Sequence, residues 1–352
     1  MKIAHIGDIH LGITMFGRAL EEDQQYILNQ ITEKLAYIRP DVIVVAGDVF
    51  HTANPSAWGQ LLCIHTLFAW SAIAPVRIIP GNHDNATRLV SDQPFFSLRD
   101  ITVYLSPTVD NGILYVPFKS CDSPEEFMEY AMSADGSDTA TVMVAHHSFI
   151  PADPKAFKNL NPLMFSNSPS AVPEQTLPDG MFVLAGHIHC DWNFGNVAYS
   201  SSPLLYNFDR TKSNPGFGVL TTHDTTFEYE RIKTTPLHQL VLIEERTATD
   251  ILADNNLDPN AYYRIVLSSA EELKDYAELL REKLPFILSI GAEQQGARTA
   301  TTTTTTARGV YAQTFDEQVS AFCSYVGGEP SRILALYREY SKDKVEESSN
   351  GR

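Results

Sequence analysis

Lys2-Ile3-Ala4-His5-Ile6-Gly7-Asp8-Ile9-His10 and Val42-Ile43-Val44-Val45-Ala46-Gly47-Asp48 follow one plan: a short apolar run, a glycine, then a side chain able to bind a cation. Val42–Ala46 is apolar without interruption, the pattern of a strand buried on both faces in a sheet flanked by helices. The plan recurs at Val76–Ile79 before Pro80-Gly81-Asn82-His83-Asp84, at Val142–Ala145 before His146-His147, and at Phe182–Ala185 before Gly186-His187-Ile188-His189. Helical segments lie between the first strands. Leu20–Ile38 carries Ile27, Ile31, Leu35 and Ile38 on one face and stops at Pro40, and Trp58–Ala69 is a second helix. Strands alternating with helices predict an α/β fold, with its site at the carboxyl ends of the strands.

Those ends carry Asp8, His10, Asp48, Asn82, His83, His146, His187 and His189. Carboxylate, amide oxygen and imidazole form the mixed donor set that manganese, iron or zinc accepts without thiolate. In Asp8-Ile9-His10 and His187-Ile188-His189 the two donors stand two residues apart, so an extended backbone points both to one side. Gly7, Gly47, Gly81 and Gly186 are expected to let each strand turn sharply as it leaves the sheet. A single such piece arises easily by chance; five in order, each directly after a strand, do not. His5, inside the first strand, reads as structural, and His51 as a loop histidine three residues past Asp48. His65, His223 and His238 have no place in the pattern.

Taken together, Asp8-x-His10, Gly47-Asp48, Gly81-Asn82-His83-Asp84, His146 and Gly186-His187-x-His189 resemble the five-part signature of the calcineurin-like metallophosphoesterases. Within that superfamily the details resemble the SbcD-type nucleases, which work with an SbcC-type ATPase. Supporting matches are Gly47-Asp48-Val49-Phe50-His51, Tyr199-Ser200-Ser201-Ser202-Pro203 and Asn214-Pro215-Gly216-Phe217, with Ser201 standing where glycine is usual. The clear resemblance covers residues 1–225. It implies a two-sheet α/β/β/α metallophosphoesterase sandwich with a small α+β capping domain and a C-terminal helical hairpin. It also implies two metal sites, one from Asp8, His10, Asp48 and His189, the other from Asp48, Asn82, His146 and His187, with Asp48 bridging. His146 takes the ligand position over His147 because it directly follows the apolar run. Two cations about 3.5–4 Å apart would activate a water and clamp the phosphate. His83 is then the catalytic residue at the leaving oxygen, and Asp84 is expected to orient its ring.

The activity implied is 3′-to-5′ exonuclease action on duplex DNA ends and endonuclease action on single strands, in repair, recombination or replication. Manganese, or magnesium in its place, is the implied cofactor. The implied assembly is a homodimer with an SbcC-type ATPase, in the cytoplasm and away from membranes. An alternative is another metallophosphoesterase acting on protein or small-molecule phosphoesters. Protein phosphatases of this kind carry aspartate-arginine-glycine where Phe50-His51-Thr52 stands here. A non-catalytic module would be expected to lack a donor, and none is missing.

The 352 residues have room for several domains: nuclease domain 1–235, α+β capping unit 236–296, Thr-rich linker 297–308 and partner-binding hairpin 309–345. Thr301–Thr306 is too poor in apolar surface to pack. The beginning, with polar chemistry already at His5 and Asp8, reads as a mature first strand rather than a signal peptide. No run approaches the ~18 apolar residues of a membrane span. Cys63, Cys121, Cys190 and Cys323 are scattered and suit a reducing compartment. A formal net charge of −17 argues against DNA binding mainly by phosphate neutralisation, so contacts must come through metal ions, a local basic patch or a cationic partner. Arg18, Lys119, Arg210, Lys212 and Arg231 are the basic residues available near the motifs.

Overall fold

The computed structural model describes residues 1–86, 89, 99–152, 170–208, 214–223 and 226–292. The linker and the hairpin expected at 297–345, with Arg210 and Lys212, lie outside them. Two six-stranded sheets stack face to face. The first runs Thr226–Lys233, Gly216–His223, Lys2–Ile6, Val42–Ala46, Val76–Ile79, Ile101–Val103; the second runs Asn193–Phe194, Val197–Tyr199, Phe182–Gly186, Val142–His146, Ile113–Val116, Thr108–Asp110.

Strand alternation explains why the central runs are apolar throughout. Val42, Val44 and Ala46 face the second sheet, in a core shared with Val142, Val144 and Leu184. Ile43 and Val45 face outward, packing with Ile27, Ile31 and Leu35 of helix Glu21–Ile38 and Leu67 of helix Ala57–Ser71. The second sheet is covered on its outer face around Phe127 of helix Pro124–Ala131, completing an α/β/β/α sandwich. Each fully buried Val, Leu or Ile contributes about 1.5–3 kcal/mol, so polar interruptions here are costly. Helix Glu21–Ile38 places Glu21, Glu22 and Asp23 in its first turn, where they suit the helix dipole, and ends at Arg39 in left-handed conformation just before Pro40. Helix Ala57–Ser71 is capped by Ser56, whose hydroxyl accepts from the Gly59 amide at 3.1 Å.

The parallel pairings align the strand ends. Lys2–Ile6, Val42–Ala46 and Val76–Ile79 run parallel, as do Phe182–Gly186 and Val142–His146, with Gly186 opposite His146. All five motif-bearing ends therefore emerge at one edge of the sandwich. The antiparallel hairpin Gly216–His223 to Thr226–Lys233 closes the first sheet beside Lys2–Ile6.

A separate three-stranded sheet follows, ordered Leu240–Ile243, Tyr262–Leu267, Ile287–Ala292, with all strands parallel and helices Ala248–Ala253 and Ala270–Lys283 as crossovers. Its alternation is also two-sided. Tyr263, Ile265 and Leu267 pack under its own helices, while Tyr262, Leu240 and Leu242 join the core beneath helix Glu21–Ile38. Cys63, Cys121 and Cys190 are buried and make no disulfide among the described residues. No helix among the described residues is long and apolar enough to cross a membrane.

Candidate metal centre

The backbone at the strand ends is bent by the donor residues themselves. Asp8 (φ 54°), His10 (φ 50°), Asp48 (φ 51°) and His187 (φ 91°) all lie in the left-handed region. Each costs on the order of 1 kcal/mol for a residue with a Cβ. Of the four glycines expected to make these turns, Gly47 alone has positive φ, at 83°. Gly81 and Gly186 are needed for room instead. A Cβ on Gly81 would overlap the Asp48 carboxylate, and one on Gly186 would overlap the Ala46 carbonyl. Ser201, in the family's glycine position, holds φ 60° and so keeps the glycine-type conformation.

Hydrogen bonds fix the strained turns. The Asp8 carboxylate accepts from the His187 amide at 3.0 and 3.2 Å, tying the two sheets together at the site. Asp48 Oδ1 accepts from the His83 amide at 2.9 Å. The Asp84 carboxylate accepts from the amides of Gly81, Val49 and Phe50 at 2.9, 3.2 and 2.9 Å. Asp84 thus pins the Gly81 and Asp48 loops together. It does not orient the His83 ring as expected; that ring donates from Nδ1 to the His51 carbonyl at 2.8 Å. The carboxylate is saturated by backbone amides, which leaves the ring to find another acceptor.

The side chains then converge, bringing ring nitrogens, an amide oxygen and carboxylate oxygens together. His146 Nδ1 donates to the Ala46 carbonyl at 2.8 Å, which leaves Nε2 as the nitrogen that faces the cluster. That Nε2 faces Asn82 Oδ1 at 3.0 Å and Asp48 Oδ2 at 3.4 Å. His187 Nδ1 approaches the same Asn82 oxygen at 3.0 Å. On the other side His10 Nε2 and His189 Nε2 are 2.9 Å apart, with Asp48 Oδ2 3.5 Å from His10 and Asp8 Oδ1 3.6 Å from His189. Ligand atoms of Asp8, His10 and His189, and of Asp8, Asp48 and His146, lie within 4.8 Å of one another. Such groups repel unless positive charge sits among them.

The proton equilibria report that demand. Burial pushes His10 down to about 2, with His189 adding to it, and pushes His187 down to about 3, with His146 adding. For His146 burial opposes the charge, yet its hydrogen bond to Asp48 and the charges of Asp48 and Asp8 outweigh it and push the ring up to about 9. Burial also opposes the Asp48 charge, but His146 and His10 hold that carboxyl well below its usual range. Burial raises Asp8. A proton on His146 is a partial substitute for a cation, and divalent cations fit this donor set better than protons do.

The structure brings all eight donor residues named from the sequence into this cluster, with His83 edge-on to His10 at 4.8 Å between ring centroids. His147 is elsewhere, stacked on Phe127 at 4.2 Å, with Nε2 2.8 Å from the Ser170 carbonyl. His51 enters the cluster, stacked on His83 at 5.4 Å. His5 is buried, its Nδ1 3.1 Å from the Tyr229 hydroxyl. Three supporting residues gave no sequence signal. Gln24 donates to the carbonyls of Ile9 and His10 at 3.1 and 2.8 Å and accepts from the Gly12 amide at 3.0 Å. Tyr206 donates to the Ile9 carbonyl and stands edge-on to His10 at 5.7 Å. Phe118 lies stacked beside His187 at 6.4 Å. Each reaches the site from a distant segment with no motif of its own.

Comparison with known proteins agrees with this geometry. The chain is 25% identical over 323 residues to the SbcD component of the SbcCD nuclease of Staphylococcus epidermidis, an alignment covering 82% of this chain and 85% of that protein. Residues 1–192 match the family model described as calcineurin-like phosphoesterase, and they contain all the donor residues from Asp8 to His189. The chain belongs to the calcineurin-like phosphoesterase family and is a metal-dependent hydrolase.

Proposed function

We propose that this chain is a two-metal DNA nuclease and the nuclease component of an SbcCD-like complex. The observation that carries the reading is Asp48 Oδ2, a single oxygen 3.5 Å from His10 Nε2 and 3.4 Å from His146 Nε2. One oxygen between two donor sets is what a bridging ligand requires. Asp8, His10 and His189 would complete one set, and Asn82, His146 and His187 the other. Two divalent cations, manganese or magnesium, would supply Lewis acidity to the phosphate oxygens and lower the pKa of the attacking water.

The protein's own groups do the rest. The Ala46 carbonyl keeps His146 in the tautomer that presents Nε2. The Asp84 carboxylate and the His83 amide hold the Asp48 and Gly81 loops in register. With Nδ1 donating to the His51 carbonyl, His83 has Nε2 turned to the site, where the doubly protonated ring would give its Nε2 proton to the departing sugar oxygen and revert to the neutral Nδ1–H form. Similarity to a named nuclease component over most of both chains extends the reading from phosphoesters in general to DNA. In this reading residues 1–235 form the nuclease domain, 236–296 a cap beside it, and 309–345 a hairpin for an SbcC-type ATPase, in a cytoplasmic homodimer. A partner also answers the formal net charge of −17, because it can supply cationic surface to hold the phosphates.

The test uses purified full-length protein with end-labelled duplex and single-stranded DNA, plus manganese or magnesium. His83→Ala should lose about 10²–10⁴-fold in cleavage rate while binding manganese with unchanged stoichiometry in calorimetry. Hydrolysis of a chromogenic phosphodiester with no cleavage of either DNA would instead favour a small-molecule or protein phosphoesterase. Unchanged cleavage by the variant would remove His83 from the mechanism.

A further inference from the structure

One buried carboxylate has no part in the metal centre. Asp23, in the first turn of helix Glu21–Ile38, is 2% exposed, and both of its oxygens are occupied. Oδ1 accepts from His238 Nδ1 at 2.8 Å, and Oδ2 accepts from the Tyr262 hydroxyl at 2.7 Å. The His238 ring stacks on Tyr262, with centroids 4.4 Å apart and planes at 20°. Arg18 closes the other side. Its Nε donates to the Tyr262 oxygen at 3.1 Å, and its guanidinium lies 4.9 Å from the Tyr262 ring and 4.8 Å from the Phe286 ring. Arg18 is therefore engaged with the small unit and is not a spare cation for a phosphate track.

The next residue along the helix works in the opposite direction. Gln24 grips the carbonyls of Ile9 and His10 and the amide of Gly12. Two consecutive side chains thus hold the small unit and the Asp8–His10 loop to the same helical turn. Adhesion alone does not need Asp23, because Leu240, Leu242 and Leu288 already pack against the main core. Apolar packing tolerates sliding and rotation, whereas directed hydrogen bonds to a buried carboxylate permit one arrangement. Tyr262 begins the central strand of the three-stranded sheet, so fixing it fixes the whole unit.

We propose that Asp23, His238, Tyr262 and Arg18 form an orientation clasp, positioning residues that set the cap's angle beside the metal centre and so govern hydrolysis of long duplex DNA but not of small phosphodiesters. The substrate half of this inference rests on the nuclease reading, and the clasp itself on the hydrogen-bond geometry. A small diester needs only the metal centre. A duplex must fit the main body and the cap together, and a misplacement of about 1 Å costs on the order of a hundredfold in rate.

The experiment compares full-length wild type with Tyr262→Phe, which keeps the ring stack and removes the hydroxyl, and His238→Phe, which keeps a stacking ring and removes the donor. Each is assayed with manganese on bis(p-nitrophenyl) phosphate and on linear duplex DNA, and backbone hydrogen exchange is followed at Leu240–Ile243 and Tyr262–Leu267. Turnover of the small diester should stay within twofold. Duplex cleavage should fall tenfold or more, mainly through KM, and exchange in both strands should rise. Equal loss on both substrates, or no loss on duplex, overturns the clasp. If wild type hydrolyses the diester but cuts no DNA, the nuclease reading fails. The clasp is then decided by exchange, and unchanged protection in both variants overturns it.

Discussion

The metal centre and the Asp23 clasp are built from the same residue types and obey opposite electrostatic logic. At the clasp every donor meets an acceptor: His238 and Tyr262 each give a proton to one oxygen of Asp23. At the candidate metal centre potential ligand atoms crowd against one another, as in the 2.9 Å approach of His10 Nε2 to His189 Nε2. The first arrangement is complete in itself and serves stability and orientation. The second gathers nitrogen and oxygen ligand atoms in one place, an arrangement that added positive charge favours. A cluster of histidines and carboxylates is therefore not enough to identify a metal site; the convergence of several ligand atoms on one small volume is the stronger sign.

The strongest way to break this comparison is to make one chemical change in both places. Asp48→Asn should lower hydrolysis of any phosphodiester by about 10³-fold or more, equivalent to about 4 kcal/mol in the barrier, with little change in the thermal stability of the chelated protein. Asp23→Asn should do the reverse. It weakens charge-assisted hydrogen bonds at a buried site and should cost about 1–3 kcal/mol in urea unfolding, with turnover of a small diester retained. If Asp48→Asn proved strongly destabilising and still active, the distinction between the two clusters would fail.

The two clusters also differ in how far the sequence reveals them. Asp48 is legible because Val42–Ala46, buried on both faces, must be apolar throughout, so the first polar residue after it stands out at the strand's end. The same reasoning locates His146 and His187. Asp23 and Tyr262 are 239 positions apart, in a helix and a strand whose patterns explain them fully without any mention of each other. Gln24 is invisible for the same reason. The outer hairpin strand Thr226–Lys233 carries no motif either: it is an edge strand, mostly alternating exposed and half-buried residues, with no apolar run to mark it. Left-handed turns are expected at four glycines; of these Gly47 alone adopts one, and the others fall at Asp8, His10, Asp48 and His187, where tertiary hydrogen bonds such as His187 amide to Asp8 override local preference.

Removing the metal sharpens the contrast by a smaller amount. A cation at about 100 times its Kd stabilises the folded state by about 2.7 kcal/mol, so chelated protein should melt several degrees below manganese-loaded protein. The shift should persist in full in Asp23→Asn and shrink in Asp48→Asn. Differential scanning calorimetry across a manganese titration measures both. An equal shift in all three proteins would place the binding outside the Asp48 cluster.

His5 offers a third arrangement, a buried imidazole whose partner is a phenol rather than a carboxylate or a cation. Its Nδ1 lies 3.1 Å from the Tyr229 hydroxyl, and burial, with Arg231 nearby, pushes it down to about 3 from the ordinary 6.5. The folded pKa is below the unfolded one, so the unfolded chain binds more protons in acid. The stability that His5 contributes is fully present above about pH 6.5 and is lost as pH falls from there towards 3. Between pH 7 and pH 5 the loss from this group should be about 2 kcal/mol. Urea unfolding of wild type and His5→Gln at both pH values isolates it, since every other titrating group is common to the two proteins. The variant should lose less stability than wild type over that interval. Parallel losses would mean that His5 keeps its ordinary affinity for protons inside the fold.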